Sequence, residues 1–389
     1  MASAGNATDY RTIRDRVFAA IWDELDPLAE QIENEEHIPR EKVWPILRDC
    51  GALGLLVPPE YGGHGLTIGQ YLPIIAEFAK VQGGIRALVH VHNSFAHALS
   101  EIGGPAQKDA VLSGAATGER SLAFALTEPE HGTGADLGTT ARREGAHYVV
   151  NGTKWLITNS DFASHFMVMA KTSATEVSAL LVERDTPGFR IEPLPETMGC
   201  KGGEHGRLTF TDVRVPVSAL IGGEGQGQEH LERALEISRV LVAASSLGTA
   251  ERALELSVQR ANERVTFGKP IAQRQAVQRY VAEMAMDIYA LRGMLADAAA
   301  KWDAGRRIPA EASMCKQFGL EAVGRVTDRA LLVHGGIGYT RQFPIERLYR
   351  DARLNWLEEG SPTIQYMVAA REILAGYRFD DAFGGPVDA

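Results

Sequence analysis

Apolar positions recur at three- and four-residue steps through the first third of the chain. Over residues 9–32 they place Ile13, Val17, Ala20, Ile21, Leu25 and Leu28 on one stripe, which predicts an amphipathic helix. A second helix is expected over residues 43–53, ended by glycine. The Pro- and Gly-rich stretch VPPEYGGHGLT at 57–67 reads as a loop. Helical spacing then resumes over 68–79 and 84–102.

The middle of the chain has a different period. Residues 148–159, YVVNGTKWLITN, read as two short β-runs around Asn151-Gly152, a dipeptide suited to a tight hairpin turn. Further apolar or β-branched runs fall at 166–170, 179–183 and 207–210, separated by Gly and Pro. After Gly227 the helical pattern returns, with helices expected at 228–260, 273–302, 310–332 and 362–376. Ser361 stands where it would cap the last of these. The predicted fold class is a multi-domain α+β protein. It has an N-terminal helical domain (1–120), a middle β-barrel- or sandwich-like domain (121–227) and a C-terminal helical domain built as a four-helix bundle (228–389).

Composition narrows the function classes. The chain has 389 residues and a formal net charge of −10, which disfavours general nucleic-acid binding. Its three cysteines, Cys50, Cys200 and Cys315, form no CxxC pair, so neither a disulfide framework nor a zinc knuckle is expected. The first residues lack an apolar signal core and no run is long enough to span a bilayer. The expectation is a soluble cytoplasmic protein. His90, His92 and His97 suggest a metal cluster at first sight. However, His92 does not share a helix face with the other two, and no acidic or cysteine partner lies at ligand spacing, so local packing is the expected role.

More specific information comes from ordered motifs. Thr127-Glu128-Pro129 follows an apolar run and precedes a Gly/Thr-rich loop. Trp155-Leu156-Ile157-Thr158-Asn159 comes next, then DVRVP at 212–216 and ERVTFGKP at 263–270. HGGIGY at 334–339 leads into PIERLYRD at 344–351, and Glu359-Gly360-Ser361 precedes Ile364-Gln365. Together, in this order and spacing, these blocks resemble the acyl-CoA dehydrogenase family over residues 10–378. The resemblance implies the acyl-CoA dehydrogenase fold, FAD as cofactor and a homotetramer (a dimer of dimers). It also implies an electron-transferring flavoprotein as oxidant.

The activity it implies is α,β-dehydrogenation of an acyl thioester, acyl-CoA to trans-2-enoyl-CoA. Glu359 would abstract the α-proton and flavin N5 would accept the β-hydride. Glu358 raises a question of register, which Gly360-Ser361 answers for Glu359, because the family base directly precedes that glycine. Some relatives carry the base on the long helix. The matching position here is Ser238, which cannot serve. For the cofactor, Phe124, Leu126, Thr127, Leu156 and Thr158 match positions around the flavin ring, and Thr133 matches a hydroxyl of the adjoining loop, shared with substrate. Arg264 matches the residue that supplies charge for the pyrophosphate, a role suited to a guanidinium fork. Phe267, Gln275, Leu332, Gly335, Gly336, Ser361 and Thr363 match further cofactor positions, several of them reaching the FAD of a neighbouring subunit. Arg239, Glu358 and Gly360 match positions near the bound thioester.

The chain departs from the family pattern at three places. Its flavin loop reads TEPEHGTGAD, with Glu130 and His131 where smaller residues are usual. Leu156 replaces a tryptophan that covers the flavin in many relatives, and Trp155 stands one position earlier. Leu332 replaces a glutamine. Two variants of the reading follow. The acyl group could ride on a carrier protein instead of CoA, since both present the same pantetheine thioester. A flavin monooxygenase or oxidase on the same fold is the other, and Glu359 argues against it. A non-catalytic helical scaffold is a third class, opposed by the joint presence of Glu359 and Arg264.

Overall fold

The computed structural model describes residues 4–131, 136–194, 197–203 and 205–379. Contacts divide the chain into two units, residues 1–67 with 84–234 and residues 68–83 with 235–389.

The first unit opens with α1 (Ala4–Ala20), α2 (Ala29–Glu35) and α3 (Arg40–Asp49). The predicted stripe is buried at Ile13, Val17, Ala20, Ile21 and Leu25. The helix over 9–32 is not uniform, though. A π-helical turn at Ile21–Leu25 and a 3-10 turn at Asp26–Leu28 reset its path. Pro27 lacks an N–H and crowds the preceding turn, which accounts for the reset. The second predicted helix also shifts. It starts at Arg40 and stops at Asp49, where Gly51 takes φ 83° and a 3-10 turn follows at Ala52–Gly54. Beyond it lie α4 (Ile68–Val81), which groups with the second unit, α5 (Gly83–Ile102) and α6 (Pro105–Thr117).

The strands are β1 (Leu122–Ala125), β2 (Thr140–Glu144), β3 (His147–Ile157), β4 (His165–Lys171), β5 (Val177–Glu183), β6 (Phe189–Pro193), β7 (Gly206–Pro216) and β8 (Leu220–Ile221). They form one eight-stranded sheet in the order β6-β7-β3-β2-β4-β5-β8, with β1 added parallel to β4. Its core includes Tyr148, Val150, Phe166, Val168, Leu180 and Phe210. Phe189 stacks on Phe210 with ring centroids 4.8 Å apart, which fixes the β6–β7 register by aromatic contact.

The hairpin predicted at Asn151-Gly152 does not form. β3 runs straight through it as one 11-residue strand. The register shift between Val150 and Gly152 marks a bulge on β7, where Thr211 and Asp212 lie opposite Asn151 alone and Asp212 takes φ 48°, while Gly152 takes φ 145°. Asn151 is held across the strands, its Nδ2 donating to Asp212 Oδ1 at 3.1 Å and its Oδ1 accepting from the Asp212 N–H at 2.9 Å. The extra residue is thus on β7, and the turn-prone dipeptide is kept inside a continuous strand opposite it. The tight turn instead lies at Gly145 (φ 60°), between β2 and β3.

The second unit is helical, with α7 (Gly227–Glu263), α8 (Gln275–Asp303), α9 (Pro309–His334), α10 (Ile345–Asn355) and α11 (Pro362–Leu374). A short hairpin, β9 (Val265–Thr266) and β10 (Lys269–Pro270), joins α7 to α8. α9 packs on α8, α10 and α11, and α4 packs on α8. The N–H groups of Ile68 and Gly69 donate to the Asp303 carboxylate at 2.9 Å each, which closes the open start of α4. α7 approaches α4 so closely at Gly248 that an added Cβ would lie 1.8 Å from the Ala76 carbonyl oxygen.

Candidate active site

Two sets of candidate residues are built on different physical supports, one on the sheet and one at a turn between helices.

On the sheet, β1 runs out at Ala125 and the chain passes through Leu126 to Thr127. There the Thr127 carbonyl accepts the Trp155 N–H at 2.8 Å. This bond ties the end of β1 to the end of β3. Phe124, Leu126, Thr127, Leu156 and Thr158 thereby fall on neighbouring segments of the first unit. Below them sits a buried ion pair. Lys154 Nζ donates to Glu128 Oε1 at 2.8 Å and to the Leu126 carbonyl at 2.9 Å. The Glu128 carboxylate also accepts the N–H groups of Gly138 and Thr139, at 2.5 and 3.0 Å. Burial raises the Glu128 carboxyl, but hydrogen bonds from Lys154, Thr139 and Gly138 outweigh it and hold it below the ordinary range. Burial pulls the Lys154 ammonium down to about 8, partly offset by Glu128. This pair fixes the relative position of the Thr127 segment and β3.

β3 ends irregularly. A register shift against β7 falls between Lys154 and Ile157, and Leu156 takes φ 56° with its side chain 48% exposed. A left-handed backbone at a leucine costs roughly 1–2 kcal/mol. The bulge turns an apolar side chain outward at the point where the sequence departs from the family's tryptophan. Trp155, one place earlier, lines a cleft of about 590 Å³ together with Glu130, His131, Thr139 and Arg207. Thr133 lies outside the described residues.

The turn after α10 carries Glu358, Glu359 and Gly360. Glu359 takes φ 55° and Gly360 φ 94°, two successive residues in left-handed backbone. Three consecutive carbonyls there accept side-chain donors. Lys316, fully buried on α9, donates to Glu358 O and Gly360 O. Gln365, fully buried in the first turn of α11, donates to Glu359 O at 3.1 Å and Gly360 O at 3.0 Å. Arg239 Nε on α7 reaches Glu359 O at 3.4 Å. Burial pulls the Lys316 ammonium down to about 8 against the upward pull of Glu359 and Glu358. Ser238 is buried on α7, and Glu236 is committed elsewhere. Its carboxylate accepts from Arg307 and from the Ile308 N–H (2.8 Å), closing the start of α9.

The remaining candidates occupy exposed positions. Arg264 stands at the foot of the β9–β10 hairpin, where its carbonyl accepts the Ile271 N–H at 2.9 Å. Phe267 tops that hairpin at φ 48° and 95% exposure, with the Arg274 guanidinium 5.7 Å from its ring. Gln275 begins α8. Leu332 is exposed near the end of α9, and Gly335 and Gly336 follow with open space where a Cβ would stand. Ser361 occupies the N-cap of α11, but its hydroxyl makes no capping bond, contrary to expectation. Its carbonyl accepts from Ile364 and Gln365 instead. Thr363 is exposed in the same turn. In chemical type these residues suit a dinucleotide such as FAD: in the first unit an outward apolar side chain and threonines, and in the second an exposed arginine, an exposed aromatic and uncovered glycine backbone.

Sequence reasoning missed Lys316, Gln365 and the Glu128–Lys154 pair as functional supports. Lys154 carried a signal, since counting by twos from Tyr148 and Val150 puts it on the inward face of β3. Lys316 carried a weaker one, a lysine among small and apolar neighbours in mid-helix. His92 is buried with its ring edge-on to Trp44 and Nε2 3.1 Å from the Ala115 carbonyl oxygen. Among the described residues no group of three or more His, Cys, Asp or Glu could hold a metal ion, and no helix is long and apolar enough to cross a membrane.

Comparison with known proteins bears on all of this. The chain matches the N-terminal domain of acyl-CoA dehydrogenase over residues 7–119, the middle domain over 123–213 and the C-terminal domain over 225–374. It is 37% identical to acryloyl-CoA reductase (NADH) of Anaerotignum propionicum over 92% of each chain. A structure described as the electron transferring flavoprotein of Acidaminococcus fermentans contains a chain that superposes with TM-score 0.90 at 33% identity, covering 94% of this chain and 98% of that one. An acyl-CoA dehydrogenase complexed with FAD, from Bacillus anthracis, superposes with TM-score 0.86 at 32% identity, covering 95% of this chain and 67% of that one. The chain therefore belongs to the acyl-CoA dehydrogenase family and is an oxidoreductase acting on CH–CH groups.

Proposed function

We propose that the protein dehydrogenates an acyl-CoA between its α and β carbons, with Glu359 as the base. The observation that carries this reading is the turn at 358–360. A carboxylate-bearing residue is held there in left-handed backbone by buried donors on three helices. Strain of that kind gathers at working sites.

In this reading Glu359 takes the α-proton onto a carboxylate oxygen. Thioester attachment acidifies that proton, and donors aimed at the thioester oxygen would hold the charge that develops there. Arg239, Glu358 and Gly360 border the substrate. The family binds FAD, and this chain's Phe124, Leu126, Thr127, Leu156 and Thr158 would hold the ring end. Arg264, Phe267, Gln275, Leu332, Gly335, Gly336, Ser361 and Thr363 would hold the remainder. A bound flavin supplies the two-electron acceptor for the β-hydrogen. A homotetramer is supported by apolar side chains left uncovered in one chain, Phe267, Tyr289, Leu332 and Tyr339 among them. An electron-transferring flavoprotein as oxidant is supported by the likeness to a chain of the Acidaminococcus structure. Three free, buried cysteines suit a cytoplasmic setting.

Because a base for oxidation is the acid for reduction, the same turn serves a reductase such as the Anaerotignum relative. The test is anaerobic mixing of flavin-loaded protein with a panel of acyl-CoAs. Wild type is expected to bleach the flavin. Glu359→Gln is expected to keep its flavin and lose bleaching by at least about 10³-fold, a loss on the scale of general acid–base catalysis. Normal bleaching by that variant would sink the assignment.

A further inference from the structure

Glu359 has an unusual support. A carboxylate at the end of a free turn samples many orientations, and a left-handed glutamate backbone tends to relax. Here relaxation is opposed at three successive carbonyls. Lys316 holds those of Glu358 and Gly360 from one side, and Gln365 holds those of Glu359 and Gly360 from another. Both side chains are fully buried, on α9 and α11 respectively, so neither is in position for solvent to displace it. An added Cβ at Gly360 would lie 3.1 Å from Gln365 Nε2 and 3.3 Å from Ile364 Cγ2, so the turn is packed tightly as well as hydrogen-bonded.

Lys316 brings more than geometry. A buried ammonium is costly unless something draws on its charge. Its two direct partners are carbonyls, which a neutral donor could satisfy. The charged groups facing it are Glu359 and Glu358 on the turn and Arg239 on α7. Glu359 and Glu358 pull the ammonium upward in turn, so lysine and turn are coupled by charge as well as by hydrogen bonds.

We infer that Lys316 is a positioning residue for the proton-transfer step. With Gln365 it locks the 358–360 turn so that Glu359 presents an ionised carboxylate in one place. This rests on the reading of Glu359 as the base, and the experiment separates the two.

The readout is exchange of the α-protons of acetyl-CoA into D2O, followed by proton NMR on the full-length flavin-loaded protein. Acetyl-CoA has an α-carbon and no β-carbon, so proton transfer is seen without oxidation. Lys316→Met is expected to slow exchange at neutral pH by at least about tenfold while leaving flavin content and acetyl-CoA binding unchanged. It is also expected to move the acid limb of the pH profile upward, because removing a nearby cation raises the pKa of a carboxylate. Lys316→Arg, which keeps the charge, is expected to return the limb toward its wild-type position. A purely structural lysine would not move that limb. Wild-type rate and limb in Lys316→Met would overturn the inference. If Glu359→Gln itself exchanges normally, the base assignment fails instead. Should Lys316→Met not fold, Gln365→Leu carries the test. It removes the neutral half of the clamp, so a tenfold slower exchange supports the inference and a wild-type rate overturns it.

Discussion

Two buried lysines, one in each unit, are drawn down to the same pKa, about 8, by the same cause. They are used differently. Lys154 meets a carboxylate, Glu128, whose other bonds go to backbone N–H groups, so charge is cancelled locally. Lys316 meets backbone carbonyls, and the chain it holds is in left-handed backbone at two residues in succession. The first arrangement braces a scaffold. The second holds a strained turn and leaves charge to act on its neighbours. The type of partner, more than the degree of burial, separates bracing from function.

The largest expected effect comes from breaking the brace. Lys154→Met leaves the Glu128 carboxylate buried without its cation, and removing one partner of such a pair typically costs about 3–5 kcal/mol. Thermal unfolding is expected to show that loss. The double variant Lys154→Met/Glu128→Gln is expected to recover part of it, because no bare charge remains. A single variant as stable as wild type would show that the pair is not a brace.

A third buried ionisable group sharpens the comparison, since it has no ionic partner. Burial lowers His92 from 6.5 to about 4. Its unfolded form therefore binds a proton that its folded form refuses. Stability is full above about pH 6.5, falls as pH drops from 6.5 to 4, and stops changing from this cause below that. The total is on the order of 3 kcal/mol at one pKa unit per 1.4 kcal/mol. His92→Gln is expected to flatten the acid limb of the stability curve. An unchanged limb would assign acid sensitivity to other groups.

Long-period features were legible in the sequence. In the second unit α7, α8, α9 and α11 sit within a few residues of where the 3.6-residue pattern put them, whereas α10 (Ile345–Asn355) is not among the expected helices, its residues reading only as the PIERLYRD block. Features set by tertiary contact were not. Asn151-Gly152 is a turn signal locally, yet the pairing of β3 with β7 overrode it and kept the dipeptide inside a continuous strand, opposite a bulge on β7. Ser361 has the right place for a cap, but its hydroxyl is unused there. For the site, the resemblance brought Glu359 and Arg239 to notice from linear sequence, while Gln365 stood in the last motif block with no role given to it. Lys316 lies 43 positions before Glu359, and only the packing of α9 shows that it belongs to the same turn.

The central claim is that Glu359, and not its neighbour Glu358, moves the α-proton. The direct measurement is acetyl-CoA α-proton exchange in Glu359→Gln and Glu358→Gln, run side by side on flavin-loaded protein. The account predicts exchange at least about 10²-fold below wild type for Glu359→Gln and within a few-fold of wild type for Glu358→Gln. Near-wild-type exchange in Glu359→Gln, or loss confined to Glu358→Gln, would contradict it.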